Sequence, residues 1–433
     1  MRTPELLAPA GSLRMAQTAL AYGATAIYAG QPRYSLRVRN NEFGRVEKLA
    51  EGIAATQAQG GKFYVVSNIF PRNAKLKTYL ADMAPVVALK PDALIMADPG
   101  LMLMIREQWP ETPIHLSVQA NTVNHAAVRF WRSVGVSRVI LSRELSLDEV
   151  AEIRQECPDT ELEVFVHGAL CVAYSGRCLL SGYFNHRDPN QGTCTNSCRW
   201  DYKVLPGNEI LGATQTSLPP ADEPRHPLAD EPYLIEEATR PGQLMPIEED
   251  EHGTYILNSK DLRAIEHVQR LTEIGIDSLK IEGRTKSPYY VARTAQAYRA
   301  AIDDAIAGRP LNPRLLGDLE GLANRGYTGG FYERHPDRDH QNYLRGHSES
   351  DRSLYVGDLT GYNADGWAEI EVKNKFSVGD RIEVIHPAGN RELTIAALRN
   401  HDGGAIDCAP GNGHRVALEL PPGLEGAFVA RFV

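Results

Sequence analysis

Four of the six cysteines in this chain fall within the 38-residue stretch Glu163–Trp200. Cys171 and Cys178 are seven positions apart, and Cys194 and Cys198 are four positions apart. Glycine, proline, aspartate and asparagine occur between the two pairs, and these residues favour turns over a long helix. Two close pairs separated by a loop can converge on one centre, so the stretch is predicted to be a metal-binding insert.

Four cysteine thiolates can hold either an iron–sulfur cluster or a zinc ion. Structural zinc sites usually bring together two pairs with C-x₂₋₄-C spacing, which Cys194 and Cys198 approach and which Cys171 and Cys178 exceed. A 4Fe–4S cluster is therefore the favoured interpretation. Zinc is the alternative, and free thiols or a disulfide are a third reading.

Acid–base chemistry has three candidates next to this stretch or at neighbouring strand ends, namely His167, Glu163 and Glu144. His167 lies four residues before Cys171, where it could ligate a metal or transfer a proton. Paired carboxylates could support acid–base or hydrolytic metal chemistry. For His167, a hydrogen-bonded structural histidine is the stronger interpretation. For the glutamates, a surface or salt-bridged role is as well supported as a catalytic one.

Arginines form a second group, in which three of them follow the second predicted strand with aromatic residues interleaved. Guanidinium groups bind carboxylates and phosphates in bidentate fashion, and aromatic rings stack on bases. A solvated loop is the alternative. Together with polar residues at other strand ends, the predicted substrate-binding set is Arg33, Arg37, Arg39, Gln119, Arg143, Glu282 and Arg284.

Basic residues near the C-terminus surround Phe376 in the segment KNKFSVGDRIEVI. Small β-barrels with basic faces commonly hold nucleic acid, although an accessory domain with scattered lysines would look similar. The predicted nucleic-acid contacts are Arg199, Lys286, Lys373, Lys375 and Arg381.

The elements that must position these residues come from a repeated strand–helix pattern over the first 170 residues, which is typical of a parallel sheet. The predicted strands are Glu5–Ala8, Ala26–Tyr28, Phe63–Asn68, Ala93–Met96, Ile114–Val118, Val139–Leu141 and Leu162–Val166, with an eighth, Ser278–Ile281, after the insert. The predicted helices are Leu13–Tyr22, Lys75–Leu89, Asn124–Val134, Leu147–Cys157 and Pro288–Gly308. Ser146 and Glu149 are predicted to form a capping box.

Eight such strands predict an α/β fold, a TIM-like (β/α)8 barrel carrying the cysteine-rich insert. No G-x-G-x-x-G follows the first strand, which argues against a dinucleotide-binding open sheet. In such a barrel, functional groups gather where the strands end. No G-x-S-x-G, H-E-x-x-H or G-x-x-x-x-G-K-[ST] motif supports the common hydrolase or phosphotransfer mechanisms.

The 433 residues are predicted to form two domains. Residues 1–333 form the barrel domain, including the cysteine insert at 167–200 and an acidic, proline-rich insert at 205–251. Residues 334–352 form a linker, and the alternating short runs of 353–433 predict a small C-terminal all-β barrel domain.

Composition narrows the function classes. Hydrophobic residues make up 42% and charged residues 23% of the chain, which is typical of a soluble globular protein. A net charge of −9 argues against a wholly basic nucleic-acid binder and still allows a local basic groove. The N-terminus lacks a signal-peptide pattern and no run of eighteen apolar residues occurs, so we expect a cytoplasmic protein without a membrane partner.

The segment EVFVHGALCVAYSGRCLLS, residues Glu163 to Ser181, resembles the signature of peptidase family U32, the collagenase-like proteases. The resemblance extends through PELLAPAGS, YAGQPRYSLRVRNNEF, LSVQANTVN, RVILSREL, NQGTCTNSCRW, NSKDL and SLKIEGRTKS, and so covers most of the chain. Within the family it is strongest to bacterial members that act in tRNA hydroxylation.

That resemblance implies an enzyme that makes 5-hydroxyuridine at the wobble position of tRNA, with prephenate as a required metabolite and the tRNA anticodon region as partner. It also implies an iron–sulfur cluster on Cys171, Cys178, Cys194 and Cys198. Strand-end arginines such as Arg33, Arg143 or Arg284 would then hold the carboxylates of prephenate. A U32-type peptidase and a non-catalytic, cluster-bearing accessory protein for tRNA modification are the alternatives.

Overall fold

A computed structural model describes residues 2–31, 33–36, 41–170, 260–283, 286–324, 326–333 and 352–433, together with the backbone of three short strands between 233 and 255. Within that part of the chain, no helix is both long enough and apolar enough to cross a membrane.

The barrel domain contains the following strands in chain order: β1 (Glu5–Pro9), β2 (Ala26–Gly30), β3 (Lys62–Ser67), β4 (Ala93–Met96), β5 (Ile114–Leu116), β6 (Arg138–Ile140), β7 (Glu161–Ala169), β8 (Tyr233–Glu236), β9 (Leu244–Asp250), β10 (Gly253–Tyr255), β11 (Asp261–Arg263), β12 (Ser278–Ile281) and β13 (Tyr327–Thr328). Strands β1 to β7 run parallel in sequence order. β12 pairs in parallel with both β1 and β7 and closes the sheet. The predicted eight-stranded TIM-like barrel is therefore confirmed.

The helices are α1 (Leu13–Ala21), α2 (Val46–Ala58), α3 (Asn73–Ala88), α4 (Pro99–Gln108), α5 (His125–Ser133), α6 (Leu147–Glu156), α7 (Val268–Ile274), α8 (Pro288–Ile306) and α9 (Arg314–Glu320). All five predicted helices are present. The predicted capping box is also present, because the Ser146 side chain accepts from the Glu149 amide and the Glu149 side chain accepts from the Ser146 amide.

Strand β7 is longer than its sequence pattern predicts. The apolar run ends at Val166, whereas the strand continues to Ala169. The reason is a partner from far along the chain, since β11 pairs antiparallel with the last three residues of β7 and β13 pairs with β11. The extension carries the backbone to the residue before Leu170 at the carboxyl end of the barrel.

Closure of the barrel requires a glycine at position 168. Gly168 has φ +107°, and a Cβ there would lie 2.4 Å from the carbonyl oxygen of Glu282, which follows β12. The amide of Glu282 donates to the carbonyl of His167 at 2.8 Å in the same place. Only a residue without a side chain lets the ends of β7 and β12 approach this closely.

The acidic, proline-rich insert contributes strands β8 and β9, which form a separate antiparallel sheet with the following strand β10, in the order β10-β9-β8. The C-terminal domain contains β14 (Ser353–Tyr362), β15 (Ala368–Val372), β16 (Phe376–Ser377), β17 (Arg381–Ile385), β18 (Arg391–Thr394), β19 (Leu398–Asn400), β20 (Ala405–Ile406), β21 (Cys408–Ala409), β22 (Arg415–Leu418) and β23 (Phe428–Phe432). Eight of these strands form an antiparallel half-barrel in the order β18-β17-β23-β14-β15-β22-β19-β20, which confirms the all-β prediction.

The C-terminal domain docks on helices of the barrel through one buried ion pair and an aromatic cluster. Arg293 of α8 is 3% exposed, and its guanidinium binds the Glu383 carboxylate of β17. Tyr289 of α8 stacks on Tyr355 of β14, with ring centroids 4.6 Å apart and planes 8° apart. The Tyr22 hydroxyl of α1 donates to the Ile385 carbonyl at 2.8 Å. The C-terminal domain therefore packs against α8 and the C-terminal end of α1.

The Gly168→Ala substitution should destabilise the protein by about 3 kcal/mol, because a left-handed backbone costs about 1–2 kcal/mol for an L-residue and the methyl group adds a backbone clash. Gly366→Ala is the matched control, since Gly366 has φ +79° and no atom lies within 4 Å of the position that a methyl group would take there. It should cost about 1 kcal/mol. Denaturant unfolding measures both, and equal losses would contradict the proposed clash at Gly168.

Candidate functional site

The carboxyl ends of the barrel strands gather polar side chains around a central mouth, as expected for this fold. Arg143 follows β6 and occupies the most distinctive position. Its guanidinium carbon lies 3.9 Å from the centre of the Phe165 ring, and its Nη1 donates to the Ala169 carbonyl at 3.1 Å. The buried Nε has no hydrogen-bond partner among the described residues. Arg143 is thus a fixed cation beside the end of β7.

Two amide side chains fix the loops on the opposite side of the mouth. Gln31 accepts from the amides of Arg33 and Tyr34 at 2.8 and 2.9 Å. Asn68 accepts from the Leu36 amide at 3.2 Å and donates to Ser117 Oγ at 3.1 Å. The loop after β2 and the ends of β3 and β5 are thereby held together.

Gln119 lies in a 3-10 turn, Val118–Ala120, directly after β5. Its amide donates to Ser117 Oγ at 3.4 Å, and its side chain is half-buried. Ser117 therefore connects Gln119 to the Asn68 pair, which brings this predicted binding residue to the mouth.

Arg33 is turned towards a neighbouring helix. Its guanidinium lies 2.7 Å from Asp82 of α3, and Tyr34 donates to the same carboxylate at 2.6 Å. Hydrogen bonds from Tyr34 and Thr78, with the charge of Arg33, hold the pKa of Asp82 below its usual value. The alternating sequence around Arg33 gives no sign of this distant partner.

Glu282 follows β12 and lies next to Tyr28, whose hydroxyl is 3.3 Å from the carboxylate and 2.8 Å from the Ile281 carbonyl. The backbone carbonyl of Glu282 accepts from the Tyr290 hydroxyl at 2.7 Å. Glu282 therefore lies at the mouth, two strands along from β6, the strand that Arg143 follows.

Glu163, a predicted catalytic carboxylate, lies deep in the barrel and is fully buried. Its carboxylate oxygens are 2.8 Å from Lys280 Nζ and 3.2 Å from Arg138 Nη1. Arg138 also contacts Glu5 at 2.5 Å. The structure thus gives Glu163 the salt-bridged position that the sequence left open, below the Phe165 ring and away from the mouth.

The same buried layer shifts the ionisation of its members. Burial alone would raise the pKa of Glu5, but the charge and hydrogen bonds of Arg138, together with Tyr64 and Lys62, bring it below its usual value. Burial and the neighbouring cations Arg138, Lys280 and Lys62 lower the pKa of His115 well below its usual value. Within this layer, the Glu5 carboxylate therefore stays ionised beside Arg138, and His115 stays neutral.

His167, another predicted catalytic residue, packs against the outer helix layer. A register shift between β7 and β12 places Lys280 opposite Phe165 but Ile281 opposite His167. The His167 ring contacts Tyr290, Tyr298 and Tyr327 at centroid distances of 5.4–5.8 Å, and Nδ1 is 3.3 Å from the Tyr298 hydroxyl. The sequence contains no signal for this irregularity.

Burial lowers the pKa of His167 to about 3, so the ring is neutral at physiological pH. The third acid–base candidate, Glu144, is half-buried and accepts a hydrogen bond from the Ser142 hydroxyl. His167, Glu163 and Glu144 therefore occupy three separate environments. The structure does not join them into one acid–base group.

The described nucleic-acid candidates are also dispersed. Lys286 lies over the Tyr290 ring near the mouth, with Nζ 5.0 Å from the ring centre. In the C-terminal domain, Lys373 pairs with Glu371 and lies 3.7 Å from Asp358. Arg381 pairs with Glu392 and lies over the Phe432 ring, and Lys375 is exposed.

Eight predicted site residues lie outside the described residues: Arg37, Arg39, Cys171, Cys178, Cys194, Cys198, Arg199 and Arg284. Among the described residues, no group of three or more histidine, cysteine and acidic side chains is arranged to hold a metal ion. The chain leaves the described region at Leu170, immediately before Cys171, at the mouth of the barrel.

Sequence reasoning missed Phe165, Lys280 and Arg138. Phe165 lies between the Arg143 guanidinium at the mouth and Lys280, whose Nζ is 5.4 Å from the ring centre. The sequence does contain a signal for Lys280 and Arg138, since each is a charged residue in an otherwise apolar strand, SLKI or RVI. Such a residue needs a buried partner of opposite charge.

Acidification should destabilise the protein through His167. In the unfolded chain, His167 binds a proton with a pKa near 6.5, whereas in the folded protein its pKa is about 3. The free energy of unfolding therefore falls as the pH drops from about 6.5 towards 3. His167→Phe should remove about 2 kcal/mol of the loss between pH 6.5 and pH 5, because each pH unit is worth about 1.4 kcal/mol. Unfolding measured across this range tests the difference.

The exposed His401, changed to Gln, is the matched control and should leave the wild-type pH dependence in place. A His167→Phe variant with the same acid loss as the wild-type protein would contradict the assignment.

Three known proteins that resemble this chain are described here, two by sequence and one by structure. The protein named tRNA hydroxylation protein P from Escherichia coli (strain K12) is 59% identical over 433 residues, covering 98% of this chain and 95% of that relative. The Haemophilus influenzae protein of the same name is 56% identical over 430 residues, covering 96% of this chain and 93% of the relative. The solved structure of the U32 peptidase Mk0906 covers 65% of this chain and 93% of its own, with 12% identity and a TM-score of 0.38.

Two family models match consecutive parts of the sequence. The model for peptidase family U32 matches residues 11–342, and that for the peptidase family U32 C-terminal domain matches residues 351–431. On this coverage, the chain belongs to peptidase family U32.

Proposed function

We propose that the chain is a tRNA hydroxylation protein, required for the prephenate-dependent conversion of wobble uridine to 5-hydroxyuridine. The observation that carries this proposal is the 59% and 56% identity, over nearly the full length of both chains, to relatives named tRNA hydroxylation protein P. Since tRNA is the substrate, the protein would act in the cytoplasm.

The barrel mouth supports a small anionic substrate. Arg143 is held by Phe165 and Ala169, so little side-chain entropy is lost when it binds a carboxylate. We infer that Arg143 holds a carboxylate of prephenate, with Gln119 and Glu282 available to orient the remaining polar groups.

The proposed cofactor is a 4Fe–4S cluster on Cys171, Cys178, Cys194 and Cys198, with zinc as the alternative. When bound, such a cluster can transfer single electrons or bind a substrate. Cys171 is the residue after Leu170, and consecutive Cα atoms are about 3.8 Å apart, so a cluster that uses Cys171 would begin next to the mouth. Arg143 fixes the Ala169 carbonyl and so steadies the backbone that leads to the first ligand.

The tRNA would approach the same end of the molecule. Lys286 lies near the mouth and the exposed Lys375 lies on the C-terminal domain, where each can meet a backbone phosphate. Lys373 and Arg381 already pair with carboxylates, so their share of phosphate binding is expected to be smaller.

Peptidase activity has no supporting geometry among the described residues. A thiol peptidase needs a base that can take the proton of its nucleophile. His167, four residues from Cys171, is buried among three tyrosines and is held neutral there. A non-catalytic accessory protein would differ from an enzyme in one respect. The purified protein would not hydroxylate tRNA by itself.

Function can be tested in a bacterial strain that lacks its own tRNA hydroxylation protein. Expression of the wild-type chain should restore 5-hydroxyuridine in tRNA, as measured by mass analysis of nucleosides. Arg143→Ala should lower the restored amount at least tenfold at equal protein level, and should weaken prephenate binding in calorimetry by a similar factor, because the guanidinium contact is lost.

Arg129→Ala is the matched control, since Arg129 pairs with Glu156 on the outer surface and should restore modification fully. Failure of the wild-type chain to restore 5-hydroxyuridine would reject the proposed function. Full restoration by Arg143→Ala would reject only the role of Arg143.

The cofactor can be tested on protein purified without oxygen. We expect a brown protein with about four irons per chain, as for one 4Fe–4S cluster. Changing Cys171, Cys178, Cys194 or Cys198 singly to Ser should reduce bound iron strongly, whereas Cys157→Ser should retain it because Cys157 is buried at the C-terminal cap of α6. A colourless protein with one zinc per chain would establish the alternative.

A further inference from the structure

A shallow cleft of about 270 Å³ lies on the outer face of the C-terminal half-barrel, away from the barrel mouth. Its floor is formed by β15, β22 and β19, and its walls by the turns before β15 and after β19. None of the residues predicted from sequence to bind substrate or nucleic acid lines it.

The sheet register explains why a depression forms here. Glu369, Ala417 and Arg399 align in one row across the three strands. The residues that alternate with them along each strand belong to the buried core, so this row faces outward. Because the middle member is alanine, the two long side chains stand on either side of a gap that is wide enough for a flat group.

One wall of the cleft includes Arg399, which lies over the ring of the neighbouring Trp367. The Arg399 guanidinium carbon lies 4.0 Å from the centre of the Trp367 ring. The Arg399 side chain remains 36% exposed while it approaches Asp365 at 3.6 Å. The exposed part of the Arg399 guanidinium is available for stacking, and nucleic-acid bases stack on guanidinium planes.

Both walls are held in place by asparagine side chains. Asn363 Oδ1 accepts from the amides of Asp365 and Trp367 at 3.1 and 2.9 Å. Asn400 Oδ1 accepts from the amides of Asp402 and Gly404 at 3.1 and 2.7 Å. The cleft is therefore formed before any ligand arrives, which lowers the entropy lost on binding.

The charges in the cleft distinguish a base from a phosphate. Asp365, Glu369 and Asp402 line it, so its centre repels a phosphate but accepts hydrogen bonds from the amino and imino groups of a base. Arg415 lies in the next row, opposite Glu371, and forms no ion pair within 4 Å among the described residues. It is placed to meet a phosphate at the edge.

We propose that this cleft binds one unpaired nucleotide of tRNA. The base stacks on the Arg399–Trp367 pair above Ala417, its donor edge faces Glu369, and its phosphate contacts Arg415. The site rests on the proposed function, which supplies the tRNA, and adds a second anchoring point on the C-terminal domain far in sequence from the cysteine stretch.

The test measures the affinity of the full-length protein for tRNA taken from a strain that lacks the modification, at several salt concentrations. Trp367→Leu should weaken binding about tenfold with an unchanged salt slope, because base stacking releases no counterions. Arg415→Ala should lower the slope by about one. Arg391→Ala, an exposed arginine on β18 at the other edge of the sheet, is the control and should bind within twofold of the wild type.

Ala417→Leu provides a second variant, which fills the floor between Glu369 and Arg399 and keeps Trp367 in place, and it should also weaken binding about tenfold. If the wild-type protein does not bind tRNA, the proposed function fails. If the wild type binds and both Trp367→Leu and Ala417→Leu bind within twofold of it, the cleft proposal is overturned while the function stands. A reduced salt slope in Trp367→Leu would also overturn base stacking.

Discussion

Closure of the barrel depends on the pairing of β7 with β12, and the ion pair between Glu163 and Lys280 lies inside this seam. Arg138 joins the pair from β6 and connects it to Glu5 on β1. Removing one partner from such a buried network leaves an unpaired charge, which typically costs about 3–5 kcal/mol. The network therefore ties the first and last strands of the barrel to its middle, and every functional group at the mouth takes its position from that closure.

The paired strands β7 and β12 also connect two different ends of the barrel, the buried ionic layer and the mouth. Along β7, Glu163 belongs to the buried ionic layer, Phe165 covers that layer, and Ala169 meets Arg143 at the mouth. Gly168 permits the final approach of the two strands. One short segment of the U32 signature thus carries the fold in its first half and leads to the first cysteine in its second half. This arrangement explains why the signature begins with a glutamate that never reaches the mouth.

The C-terminal half-barrel packs on the barrel through a buried junction. Arg293 and Glu383 are both largely buried at the junction, and Asn390 also donates to Glu383 at 2.9 Å. The stacked Tyr289 and Tyr355 add an apolar contact beside them. These junction contacts set the distance between the cleft on the half-barrel and the barrel mouth. A folded RNA that contacts both places would have to span that distance.

Local sequence patterns predict the eight barrel strands, five of the flanking helices, the Ser146 capping box and the all-β character of the C-terminal domain, because each follows from local periodicity and local hydrogen bonding. They also place Arg143 and Gln119 at strand ends. The partners that these residues meet depend instead on how distant segments pack together. The register shift that turns His167 towards α8, the capture of Arg33 by Asp82 and the burial of Glu163 against Lys280 all arise from contacts between distant segments, and no local pattern encodes them.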